Sequence, residues 1–486
     1  MTDRTRSYRR QLRLPTAAPH RRTGHQARRY ARARGARGKH DKAYPQEAGD
    51  MSSYDSTVDP RARDHSKVDV YRKISWRIMP FIVFCYLCAY LDRVNVGFAK
   101  LQMLSDLKFS DAVYGFGAGI FFIGYFFFEV PSNLALHKIG ARRWIARILI
   151  TWSIISALTL LVKTPAQFYL VRFLLGVAEA GFSPGIMLYL TYWFPAKKRG
   201  FALGLYYIAI PLAGVVGGPA SGWILHSFAH SSTMAGWQWL FLLEALPAFF
   251  AGFAVLVLMV DRPHDARWLT EAQKHEVTTA IALEDAQKTE HGNAKAFLKD
   301  RNIWKLCAVY FCQIIGLYGI SFWLPSIIKD SGIRDVEVIG WLSAIPYLVS
   351  VPVIVLTGMS ADRFRSRRMH FSVALVIGAA AFAASGAVTG QPMWTVVALS
   401  VAASGILSAL SLFWGIPSAF LAGTSAAIGI AAINCIGNLA GFVSPYMVGL
   451  LNVWTHDNRF GLYAVAVSMA LGAVFVRSIS GKLADR

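Results

Sequence analysis

The chain is short of charge. Only 16% of its 486 residues are Asp, Glu, Lys or Arg, against roughly 25% in soluble domains. With 55% hydrophobic residues, a water-soluble globule could not cover its surface, and that class is excluded. Acidic residues are the scarcer sign, 28 against 50 Lys and Arg. Cysteine is sparse too: Cys85, Cys88, Cys307, Cys312 and Cys435, all in apolar runs. The Cys85-x-x-Cys88 spacing has no second ligand pair beside it, so it reads as small apolar side chains rather than a redox or metal centre. Nucleophile motifs, metal-ligand clusters and phosphate loops are missing, which argues against an enzyme. No cofactor and no metal site is expected.

What the chain has is long apolar runs. A bilayer core about 30 Å thick is crossed by about 20 apolar residues in a helix. Runs of that length are expected near 74–99, 113–136, 142–162, 166–194, 201–226, 237–260, 303–328, 338–361, 369–388, 393–415, 421–450 and 459–479. The boundaries around Phe413–Gly423 are the least defined, because apolar sequence runs almost unbroken there. The expectation is an all-α integral membrane protein with twelve transmembrane helices.

Basic residues crowd alternate loops. They cluster at Arg72, Lys73 and Arg77, at Lys138, Arg142 and Arg143, at Lys197, Lys198 and Arg199, in 261–302, at Arg363, Arg365, Arg367 and Arg368, and at Arg477, Lys482 and Arg486. In the intervening loops Lys100 and Lys108 are offset by Asp106 and Asp111, and Lys329 and Arg334 by Asp330, Asp335 and Glu337. The positive-inside rule then puts both termini and the central loop in the cytoplasm of a multi-pass cell (inner) membrane protein. The net charge of +22 belongs to these loops and to the tail, and argues for no nucleic-acid partner. Residues 1–50 hold 14 Lys/Arg and 4 Asp/Glu without an apolar stretch. They read as a disordered basic arm, a transit-like segment, or sequence upstream of a start at Met51.

The chain divides as a basic tail 1–70, six helices in 71–260, a polar cytoplasmic linker 261–302, six helices in 303–480 and a short tail 481–486. In the linker, Thr270-x-x-Gln273 has the form of a capping box. The halves repeat. Leu134–Arg143 lies between spans two and three, and Met359–Arg368 between spans eight and nine, 225 residues on. Pro219 and Pro445 are offset by 226. Paired repeats are how many secondary transporters obtain two alternating states.

Seven segments in order carry a resemblance: Tyr90-Leu-Asp-Arg-Val-Asn-Val-Gly-Phe-Ala99, Glu129-Val-Pro-Ser-Asn133, Arg172-Phe-Leu-Leu-Gly-Val-Ala-Glu179-Ala-Gly, Gly217-Gly-Pro-Ala-Ser-Gly222, Trp237-Gln-Trp-Leu-Phe, Phe322-Trp-Leu-Pro325 and Asn434-Cys-Ile-Gly-Asn438. Over about Val70 to Ser480 the chain resembles the major facilitator superfamily. Within it the likeness is to the anion:cation symporter group of tartrate-, phthalate- and sugar-acid-type permeases. The resemblance implies two pseudo-symmetric six-helix bundles. Two departures stand out. The superfamily loop pattern Gly-x-x-x-Asp-Arg-x-Gly-Arg is complete in neither half. The first half has Asn133 and His137 at the Gly and Asp positions, and the second keeps Gly358, Asp362 and Arg363 but has Arg365 at the later Gly. A gating lock between the halves is therefore expected at Asp362 and Arg363.

Charges inside apolar runs are costly and mark function. Arg93 offers a planar fork of donors that matches a carboxylate, and the resemblance implies that it anchors the substrate. Glu179 falls seven residues after Arg172, on the same face of span four. The resemblance makes Glu179 the proton-coupling carboxylate, with Arg172 as its ion-pair partner or a second anion contact. Asp92 points about 100° away from Arg93. It is either a second protonation site or a neutraliser of a neighbouring Arg. Glu129 is assigned to gating, and Glu244 is left without a role. Tyr125, Gln313, Tyr318, Ser418, Asn434 and Asn438 are candidates for substrate hydroxyls, against the alternative that inward Asn simply ties helices together. The expected function is proton-coupled uptake of a small organic anion by alternating access, by a monomer whose partners are the anion, the proton and the lipid bilayer. An exchanger or facilitator of the same fold, and a membrane sensor of such an anion, are the alternatives.

Overall fold

The computed structural model describes residues 60–287, 301–418 and 423–479. The reading of residues 1–50 and that of 481–486 therefore lie outside the described residues. Twelve helices are long and apolar enough to cross a membrane. They are Val70–Leu107 (span 1), Asp111–Ile139 (span 2), Ala141–Leu161 (span 3), Pro165–Thr191 (span 4), Lys198–Ser227 (span 5), Gly236–Leu258 (span 6), Arg301–Asp330 (span 7), Val336–Arg363 (span 8), Arg367–Ala387 (span 9), Pro392–Pro417 (span 10), Ala432–Thr455 (span 11) and Asn458–Arg477 (span 12). No strand occurs among the described residues. Helices satisfy every backbone group within the segment, which a hydrocarbon solvent demands.

Local chemistry sets several helix starts. Ser110 accepts from the Val113 N–H at the head of span 2 (3.3 Å). Span 4 opens with Pro165 behind a capping box in which Thr164 and Gln167 exchange bonds, so the first-turn donors are satisfied. Asp335 and Asp457 cap spans 8 and 12 through the N–H groups of Glu337 and Arg459. Asp457 lies outside the spans, and hydrogen bonds from Arg459 hold its carboxyl below the usual range. The Thr270–Gln273 box forms as well and opens the polar helix Glu271–Gln287. From that helix Glu284 accepts from the Ala196 N–H and from Arg199, holding the loop between spans 4 and 5.

Span 1 continues past the expected end at Ala99 to Leu107. Lys100 is not a loop residue. It is buried, bonds to Asp111 at 3.1 Å and lies 3.8 Å from the Trp323 ring centre. A paired and ring-covered ammonium lets the helix run on through apolar surroundings.

The two halves pack alike. Span 3 packs on span 6 as span 9 does on span 12, and span 2 on span 4 as span 8 does on span 10. The repeated loop also shares a positive φ at one position. Gly140 and Arg365, 225 residues apart, both have positive φ, 96° and 48°. The second half thus holds a left-handed turn without the glycine that favours it.

The halves meet through spans 2 and 11 and through spans 5 and 8. In the second pair the backbones touch: a Cβ on Gly218 would lie 2.6 Å from the Gly340 carbonyl oxygen, and one on Gly222 would lie 2.8 Å from that of Val336. Towards the other end of the same helices, Gly204 and Gly358 have nothing within 4 Å. Spans 5 and 8 therefore diverge towards the end that carries the Lys/Arg-rich loops, called the basic end below. They close at the opposite end.

Candidate functional site

A helix break lies next to the central charges. Span 4 is interrupted directly after Glu179: Ala180 is extended (ψ 131°) and Gly181 is left-handed (φ 85°) before helix resumes at Phe182. The conformation needs Gly181, and a Cβ there would also collide with the Ser132 hydroxyl at the side of span 2. Span 1 stays helical through Asn95 (φ −57°, ψ −27°), and its hydrogen-bond ladder is only locally disturbed there, two residues after Arg93. Broken helices at membrane depth are tolerated where neighbouring groups satisfy the freed backbone. The Arg93 carbonyl accepts from the Arg172 guanidinium at 3.4 Å.

Arg93 is the hub. Its guanidinium is buried, bonds directly to the Glu179 carboxylate, and donates to the Tyr318 hydroxyl at 3.0 Å. Glu179 belongs to the first half and Tyr318 to the second, so one side chain joins both. Three rings surround it, with centres 5.2 Å (Phe121), 5.6 Å (Tyr125) and 6.0 Å (Phe122) from the guanidinium carbon. Aromatic faces stabilise the cation where water is excluded. The Arg93 Nε has no hydrogen-bond partner among the described residues.

Arg93 lines a narrow cavity of about 50 Å³ between the halves, together with Tyr125, Tyr318, Asn434 and Asn438. That is room for roughly one or two waters. Of the candidates for substrate contact, these five side chains are therefore brought together. Tyr86, Tyr90, Tyr207 and Tyr310 line it as well and were missed. Tyr310 was legible: with Ile314, Leu317 and Tyr318 it follows the helical period of one face.

The other candidates lie elsewhere. Gln313 is buried against span 10 and donates to the Ile406 carbonyl at 3.4 Å; it does not line the cavity. The side chain of Ser418 lies outside the described ones. Arg172 makes no ion pair with Glu179 among the described residues, because Arg93 has taken that position. Asp92 forms no ion pair with an Arg among the described residues. It accepts from Trp152 Nε1 (2.9 Å) and Ser156 Oγ (3.0 Å), both on span 3. Glu129 is buried and accepts from Asn434 (3.3 Å) and Cys435 (3.6 Å), linking span 2 to span 11 towards the basic end. Asp362 pairs with Arg367 of its own half at 2.8 Å, and Arg363 is exposed. Among the described residues neither joins the halves in this conformation, because span 8, which carries both, diverges from span 5 at the basic end.

At the opposite end several bonds cross between the halves. Asn452 donates to Asp111 at 3.1 Å, Lys329 to the Leu101 carbonyl at 3.2 Å, and Tyr114 to that of Phe322 at 2.9 Å. Half-exposed His226 of span 5 lies 3.7 Å from Asp335 and 3.9 Å from Glu337 on span 8.

Twelve spans in two like halves, with a charged site between them, match a known pattern. The family model described as Major Facilitator Superfamily matches residues 82–445. The chain belongs to the major facilitator superfamily. It is 43% identical over 425 residues to the metabolite transport protein NicT of Pseudomonas putida, covering 87% of this chain and 97% of that protein. It is 45% identical over 406 residues to a protein of Agrobacterium vitis named for tartrate transport, covering 83% and 90%. These relatives agree with the anion:cation symporter type. The structure of a bacterial homologue of the human lysosomal transporter Spinster, inward-facing and occupied, aligns with a TM-score of 0.67 at 17% identity, covering 84% of this chain and 96% of that one. This facilitator-superfamily protein is a multi-pass membrane transporter and not an enzyme.

Proposed function

We propose that the protein takes up a small organic anion together with a proton by alternating access. The observation that carries this reading is the Arg93 guanidinium, which holds Glu179 of one half and Tyr318 of the other at the edge of a cavity between them. A dicarboxylate, sugar acid or aromatic acid would displace Glu179 from Arg93 as Glu179 takes up a proton. One cation then serves two anions in turn. Tyr125, Asn434 and Asn438 supply hydrogen bonds for the rest of such a molecule. The names of the relatives from Agrobacterium vitis and Pseudomonas putida agree with a hydroxy-dicarboxylate or a related metabolite.

With the basic loops in the cytoplasm of the inner membrane, both termini are cytoplasmic and the closed end faces outward. Loading from outside requires the span 5–span 8 contact to part. Release inward requires Glu129 and Asn434 to separate and the cavity to widen. An exchanger of the same fold would use the same anchor and differ only in needing an internal anion to return.

Vesicles with an empty lumen and an imposed pH gradient, acid outside, separate these. Accumulation of tartrate or a related acid above equilibrium is expected. Uptake only when the lumen holds an organic acid would replace symport by exchange. Anion-dependent thermal stabilisation that is lost in Arg93→Ala is the matching binding test. Stabilisation that survives Arg93→Ala would remove Arg93 as the anchor.

A further inference from the structure

One buried carboxylate takes no part in the site around Arg93. Glu244 on span 6 is 7% exposed and faces inward within the first half. Its Oε1 accepts from Ser221 of span 5 at 2.6 Å, and its Oε2 has no hydrogen-bond partner among the described residues. Asn95 of span 1 lies beside it, 1% exposed, its amide turned to the Glu244 carboxylate but making no hydrogen bond of full geometry among the described residues. Asn95 and Ser221 border a cavity of about 20 Å³ between spans 1, 5, 7 and 8, enough for about one water.

The charged neighbour of Glu244 is an acid, Asp92, on which Arg172 of span 4 acts without forming an ion pair. Spans 1, 3 and 5 pack on span 6. Span 1 presents Asp92 to Glu244, which is another acid. Span 3 presents Trp152 and Ser156, both engaged with Asp92. Span 5 presents Ser221. No cation forms an ion pair with Glu244 or Asp92 among the described residues. An ionised carboxylate left unpaired in such a place is costly, and the cost falls only if water reaches it.

The route for water is set by the helix pair that closes the opposite end. Ser221 lies between Gly218 and Gly222, the residues that press against Gly340 and Val336 of span 8. Parting spans 5 and 8 would widen the small cavity and hydrate Ser221, Asn95 and Glu244. We propose that Glu244 is a proton-operated gate element: as the neutral acid it permits spans 5 and 8 to close, and as the carboxylate it favours their separation. The proton leaves Glu244 to water entering from the opened end and returns before closure. This deepens the proton-coupled reading and rests on it for its biological use, but the gate itself is a separate property from the Arg93–Glu179 pair.

The test is a distance between spin labels at Ser232→Cys and Arg334→Cys, in the full chain with native cysteines replaced by serine or alanine, in lipid nanodiscs. The background carries His226→Asn, because His226 bridges the same two helices. The expected result is a short distance at pH 5.5 and a longer population growing towards pH 8.5. Glu244→Gln stays short throughout, while Glu179→Gln keeps the shift. Ser221→Ala, which removes a donor to the charged form, moves the midpoint upward by about one pH unit. It stands in if Glu244→Gln does not fold. A shift preserved in Glu244→Gln, a midpoint unmoved by Ser221→Ala, or no shift in the parent overturns the gate. Proton-driven accumulation is measured separately in vesicles. Its absence, with the Glu244-dependent shift intact, would sink the proton-coupled reading and spare this one.

Discussion

At the scale of the residue, the candidate site centres on an arginine with two partners, Glu179 and Tyr318. Arg93 was legible in the sequence because a guanidinium within an apolar run demands a task. That its internal partner is Glu179 and not a neighbour on its own helix was not, since the pairing depends on how spans 1 and 4 meet. Arg172 shows the limit from the other side: its heptad spacing to Glu179 puts both on span 4, yet the carboxylate is paired by Arg93 of span 1. Tyr318→Phe removes the hydroxyl that accepts from Arg93 and leaves one guanidinium nitrogen without its bond. The expected result is anion affinity weaker by roughly tenfold, read by titration calorimetry with tartrate or a related acid. Unchanged affinity would make Tyr318 a packing residue. Glu179→Gln frees Arg93 from its internal anion. Binding should persist and lose its pH dependence, and proton-driven accumulation should vanish; accumulation equal to the parent's would dismiss Glu179 as the coupling group.

At the scale of the element, all twelve spans could be read from apolar length alone. What could not be read was where they bend and where they touch. The charges at Lys100 and Asp106 suggested that span 1 ends at Ala99, whereas pairing across to Asp111 carries it to Leu107. Gly218 of span 5 presses on a partner backbone, and which helix it meets required the fold. Gly340→Ala would set a Cβ 2.5 Å from the Gly218 carbonyl oxygen and should hold the opposite end apart, raising labelling of outward-facing cysteines and slowing uptake. Gly358→Ala, with nothing within 4 Å, serves as its control and should transport normally. Equal behaviour of the two would remove the close contact as the cause. Arg365→Gly relieves a left-handed turn (φ 48°) and should stabilise the protein by about 1 kcal/mol, seen as a higher melting temperature. A lower one would mean that the Arg365 side chain contributes more than its backbone costs.

For the whole molecule, duplication explains the arrangement. The contact of spans 2 and 11 is the counterpart of that of spans 8 and 5 under the 225-residue offset, so two equivalent seams flank the cavity. The sequence repeat at Leu134–Arg143 and Met359–Arg368 announced the two halves. It did not say which end of the two seams would be shut, because one sequence serves every conformation of a carrier and the structure holds one of them. The closed end is fastened in part by Asp111, which takes Lys100 from its own half and Asn452 from the other. Asp111→Asn leaves Lys100 buried with a weaker partner. Since Asp111 is 23% exposed, a loss of about 2 kcal/mol is expected rather than the full value for a sealed pair. A lower melting temperature at pH 7, together with greater outward accessibility, would show it; a melting temperature equal to the parent's would assign the fastening to the backbone contacts alone.

The bond between Arg93 and Glu179 has one more effect. Cargo arriving at an anchor that already has a resident gains only the difference between two similar embraces, so it is held loosely. With Arg93 as the proposed anchor, such a resident predicts loose holding and quick release.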